Sequence, residues 1–70
     1  MASKFNQALF SHKLRDKQYQ LRLNVTAAAK EIGVSKSTLS RLNRDAGLPD
    51  VDSYFMCCKW LDIDMNFFFN

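Results

Sequence analysis

The chain is 70 residues long, 47% hydrophobic with nine aromatic side chains, and carries a net charge of +3. So short a sequence supplies one hydrophobic core and leaves no room for a second, so a single domain over residues 1–70 is expected. No apolar run approaches the roughly 18 residues of a membrane span, and the polar N-terminus lacks the apolar stretch of a secretory signal, which points to a cytoplasmic protein.

The charge is unevenly spread. Residues 1–49 hold nine Lys and Arg against Asp16, Glu31 and Asp45, a balance of +6, whereas residues 50–70 hold Lys59 against Asp50, Asp52, Asp62 and Asp64, a balance of −3. The first part attracts polyanions and the second does not. Cys57 and Cys58 are adjacent, without the spaced pairs of a zinc site or a disulfide framework, and read as small apolar core residues. His12 is the single histidine and reads as a surface residue, Asp62 and Asp64 read as capping residues, and no Gly-rich phosphate loop appears. An enzyme is not expected, nor is a cofactor or a metal.

Helical signals dominate in chain order. The first helix is expected over roughly Lys4 to Lys17, where Phe5 and Leu9, then Phe10 and Leu14, lie four apart. Between Lys17 and Asn24 the apolar residues Tyr19, Leu21 and Leu23 alternate, the pattern of an extended loop or a short strand, with the loop the better fit. Asn24 can cap a second helix from Val25 to Ile32, which Gly33 ends by tolerating left-handed backbone. Ser35 can cap a third from Lys36 to Arg44, with Leu39 and Leu42 on one face and Val34 just before it. After Gly47 and Pro49, Asp50 caps a fourth helix turning Val51, Tyr54, Phe55, Cys58 and Leu61 inward, and Asp64 starts a final turn through Met65 to Phe69.

The stretch from Val25 to Arg44 carries the functional signal. A helix-turn-helix needs a small residue where the second helix crosses the first, a glycine to turn the chain and apolar anchors on the second helix. Ala29, Gly33, Val34, Leu39 and Leu42 meet those needs, and Ile32 completes the small shared core. A plain helical hairpin meets them too. The outer face of the second helix separates the two readings, because Lys36, Ser37, Ser40, Arg41 and Arg44 make a donor-rich surface with no acid on it, suited to phosphates and base edges.

From about Phe10 to Phe68 the sequence resembles the Cro/CI-like, or XRE-type, helix-turn-helix family (lambda-repressor-like), best over Ala-Lys-Glu-Ile-Gly-Val-Ser-Lys-Ser-Thr-Leu-Ser-Arg-Leu at residues 29 to 42. Leu48-Pro49-Asp50 with the apolar helix ending in Trp60-Leu61 is similar to the family's fourth helix, and Ile63 to Phe68 to its fifth. The resemblance implies an all-α, compact bundle of about five short helices whose third lies in the major groove of double-stranded DNA. It places Lys36, Ser37 and Arg41 at base edges with Thr38 beside them; Lys36 and Arg41 can each donate to guanine O6 and N7. Asn24, Thr26, Ser35, Ser40 and Arg44 then face phosphates. Two positions depart from the pattern. Val25 stands where many members carry a Gln, and Asn43 where many carry a Glu that pairs with an Arg on the first helix, which leaves Arg15 without that buried partner.

The aromatic run Phe67, Phe68 and Phe69, with Met65 and Trp60, exceeds what so small a core can hide, and suggests a homodimer interface. The expected function is a sequence-specific transcriptional regulator, a phage-type repressor occupying an operator. Two alternatives remain: an antitoxin-like interaction module using the Phe-rich end, and the DNA-binding piece of a recombination complex.

Overall fold

A computed structural model of the chain describes residues 4–44 and 47–69. Within them α1 (Gln7–Gln20), α2 (Val25–Ile32), α3 (Lys36–Asn43) and α4 (Val51–Leu61) precede a 3-10 turn, Met65–Phe68. The all-α bundle expected from the sequence is found, its fifth element a single tight turn.

Local chemistry fixes most helix starts. The side chains of Asn6, Asn24 and Ser35 accept first-turn amides of α1, α2 and α3, and that of Asp64 accepts the amide of Asn66 in the 3-10 turn. Asp50 holds the N-cap position of α4 but makes no capping hydrogen bond through its side chain.

The first helix lies three residues further along the chain than expected. Phe5 leaves the helical path to form an antiparallel bridge with Phe69, and the Asn6 N–H donates to the Phe68 carbonyl at 2.6 Å. At its other end α1 runs on to Gln20 in place of the extended loop read from Tyr19, Leu21 and Leu23. Its last carbonyls are taken up by a tight reversal in which Leu21, Arg22 and Leu23 donate to Lys17, Tyr19 and Gln18. That reversal needs Arg22 at φ 56°, a left-handed backbone costing a residue with a side chain about 1 kcal/mol.

The core draws on every element. Phe10 and Leu14 of α1, Ala28 of α2, Leu39 of α3, Cys57 of α4 and Phe68 are all essentially inaccessible to solvent. Phe10 lies at its centre, 5.4 Å from the Tyr54 ring and 5.2 Å, edge-on, from that of Phe68. Full burial of each such ring contributes about 1.5–3 kcal/mol. The Tyr54 hydroxyl donates to the Met65 carbonyl, tying α4 to the final turn.

Two inward placements on α4 are corrected. Val51 and Phe55 are 77% and 50% exposed, and the helix instead buries Tyr54, Cys57 and Cys58. Positions 54 and 58 belong to both possible faces; packing selects the flank with the small Cys57 over the one with the bulky Phe55. Phe68 is also corrected from interface to core, being 1% exposed, whereas Phe67 and Phe69 remain at the surface.

Burial pushes the Cys57 thiol up to about 12, helped by the neighbouring Cys58, and burial also raises Cys58. Both thiols therefore stay protonated at neutral pH. The folded state favours the neutral thiol, so this contribution to stability is complete below pH 9 and is lost as pH rises toward 12. A small alkylating reagent at pH 8 is expected to label neither thiol in the native protein and both in denaturant. Rapid native labelling would contradict the packing of α4.

Candidate nucleic-acid interface

The pair α2–α3 is built from small residues and a glycine turn. Ala28 and Ala29 are buried, so no side chain holds the neighbouring backbone away. Gly33, at φ 98°, and Val34 both donate to the Ala29 carbonyl, at 2.8 and 3.1 Å, which closes α2 and reverses the chain. A Cβ on Gly33 would also come within 2.6 Å of the Met56 methyl. Leu39 and Leu42 then anchor α3 inward.

The roll of α3 is set by α1. The Ser11 hydroxyl donates to the Leu42 carbonyl at 2.6 Å, and Arg15 Nη1 donates to the Asn43 carbonyl at 3.2 Å. Gln18 and Asn43 exchange a reciprocal pair of amide hydrogen bonds, Nε2 to Oδ1 at 2.8 Å and Nδ2 to Oε1 at 3.1 Å. Asn43→Ala strips Gln18, only 6% exposed, of that partner. It is expected to cost about 1–3 kcal/mol in denaturant unfolding; an unchanged midpoint would contradict this lock.

With its roll fixed, α3 leaves Lys36, Ser37 and Arg41 exposed and Thr38 and Ser40 half-buried, with Arg44 exposed at its C-cap. Asn24, Thr26 and Lys36 border one open groove of about 530 Å³, so side chains twelve residues apart reach a common surface. Asn24 spends Oδ1 on the Ala27 N–H at 2.8 Å and keeps its Nδ2 as a donor. Ser35 accepts the Thr38 N–H at 3.1 Å as the cap of α3, and its exposed hydroxyl also lies 2.8 Å from Thr38 Oγ1.

The C-terminal candidates differ in their surroundings. Trp60 is half-buried, its Nε1 donating to Glu31 at 3.2 Å and its ring 4.6 Å from the Lys17 ammonium, whereas Phe67 is exposed beneath Lys13. Met65 is half-buried against the core.

No family model and no curated protein matches the sequence. The structure is similar to the crystal structure of an HTH_3 family transcriptional regulator from Vibrio cholerae, with a TM-score of 0.71 at 20% sequence identity, over 87% of this chain and 34% of that one. The fold is that of a Cro/CI-like helix-turn-helix. The chain spans about a third of the length of that regulator.

Within this Cro/CI-like fold the two departing positions have distinct outcomes. Val25 is half-buried against the core and contributes no hydrogen-bonding side chain. Asn43 does not leave α1 and α3 unlinked, because Gln18 supplies the partner. Sequence reasoning missed Gln18, although it continues the four-residue spacing of Phe10 and Leu14 on the buried side of the Cro/CI-like first helix. Among the described residues no cluster of three His, Cys, Asp or Glu side chains is placed to hold a metal, and no helix is long and apolar enough to cross a membrane.

Proposed function

We propose that the chain is a sequence-specific, double-stranded-DNA-binding transcriptional regulator of the phage-repressor type. The observation that carries this reading is the exposed face of α3, where Lys36, Ser37 and Arg41 stand clear of a helix fixed by its buried leucines and by Gln18. In the major groove these residues and Thr38 meet base edges, while Asn24, Thr26, Ser35, Ser40 and Arg44 hold phosphates. Bound over a promoter, the domain excludes polymerase. A titration into duplex DNA tests the electrostatic part. If the cations Lys36, Arg41 and Arg44 together displace three phosphate counterions, affinity falls roughly fortyfold between 50 and 200 mM salt. Binding that is flat over this range would refute the assignment.

The same reading includes a homodimer on half-sites roughly 34 Å apart. Exposed Phe67 and Phe69 support it, together with Leu48 and Val51, which were not foreseen as interface residues. Leu48, Val51 and Phe69 line an apolar groove of about 240 Å³ with Phe5, Pro49 and Tyr54. Sedimentation as a strict monomer at tens of micromolar, free and on operator DNA, would remove the dimer from this account.

A further inference from the structure

Two described residues other than glycine have positive φ, Arg22 at 56° and Asp62 at 59°. Aspartate is a type that visits this region; arginine is not, and glycine or asparagine would sit there at lower cost. Yet the turn at residue 22 is held firmly, with Arg22 and Leu23 donating to the Tyr19 and Gln18 carbonyls at 3.1 and 2.9 Å. The side chain is exposed and makes no ion pair among the described residues. The nearby carboxylate in sequence, Asp16, instead accepts from Gln20 at 3.1 Å. Arg22 shares an open concavity of about 510 Å³ with Tyr19, which is 84% exposed, and lies two residues before Asn24, whose Nδ2 is free to donate. Asn24 in turn borders the groove that reaches Lys36.

We propose that Arg22 is a phosphate-gripping residue which, with Asn24, clamps the DNA backbone at the α1–α2 turn beside the recognition helix. The proposal rests on the DNA-binding reading above. The ligand is a phosphodiester, because a planar guanidinium matches its paired oxygens and the turn lies off the helix that carries the base-reading side chains. The turn accepts a strained backbone, and the cation it carries acts only when DNA is bound.

The test compares the intact protein with Arg22→Gly and Arg22→Asn, two replacements suited to left-handed backbone. Binding is measured on a selected operator duplex and on a scrambled duplex from 50 to 200 mM salt. Both variants are expected to melt about 5 °C higher. They are also expected to bind both duplexes about tenfold more weakly at low salt, with the salt slope shallower by about one and the ratio between duplexes unchanged. Wild-type affinity and slope in both variants would overturn the clamp while leaving the recognition helix in place. A wild-type protein that binds neither duplex would overturn the DNA reading and the clamp with it.

Discussion

Phe10→Ala is expected to remove much or all of the stability of the fold. Phe10 is completely buried, and its ring packs against Phe5, Tyr54 and Phe68, so a single side chain of α1 holds the N-terminal segment, α4 and the final turn together. Truncating such a ring costs about 3–5 kcal/mol through lost transfer energy and an unfilled cavity. A chain of 70 residues is stabilised by only about 4–10 kcal/mol in total, so the loss takes much or all of the margin. Circular dichroism decides the matter: the helical signal should fall and the cooperative melt vanish or move down by 15 °C or so. A melt within a few degrees of wild type would mean that the aromatic cluster is not the keystone of the fold.

Arg41→Ala is expected to do the opposite, leaving the fold intact and removing selectivity. The side chain is exposed on α3, so stability should change by less than about 0.5 kcal/mol. A bidentate contact to guanine is worth about 1–3 kcal/mol of discrimination. Operator affinity should therefore fall roughly tenfold to a hundredfold, with a much smaller loss on scrambled DNA. Competition binding with the two duplexes separates these effects. Equal losses on both would make Arg41 a phosphate contact and move the base-reading role elsewhere on α3.

Where an element is decided by its own residues, the sequence reading and the structure coincide. The span Val25–Ile32, its cap Asn24, the turn at Gly33 and the cap Ser35 all follow from hydrogen bonds within a few residues. The misplacements lie where distant residues decide. Phe5 is drawn out of α1 by Phe69 at the opposite end of the chain, and α1 extends because Arg22 takes a conformation that local preference assigns to glycine. The face that α4 buries depends on which flank of Tyr54 and Cys58 meets the bundle, a choice that periodicity leaves open.

The candidate site divides in the same way. The exposure of Lys36, Ser37 and Arg41 follows from the inward leucines beside them, so it was legible. The Gln18–Asn43 link joins residues 25 apart in sequence and needed the packed structure. The contact between the Ser35 and Thr38 hydroxyls was likewise hidden, because it depends on how the first turn of α3 is packed.

The central claim is that α3 reads base edges in duplex DNA, and selection of bound sequences from a random duplex pool tests it most directly. The account predicts enrichment of a defined site with guanines at the positions facing Lys36 and Arg41, repeated as an inverted half-site about one helical turn away. Recovery of a pool with no sequence enrichment, at salt where the protein still binds, would contradict it.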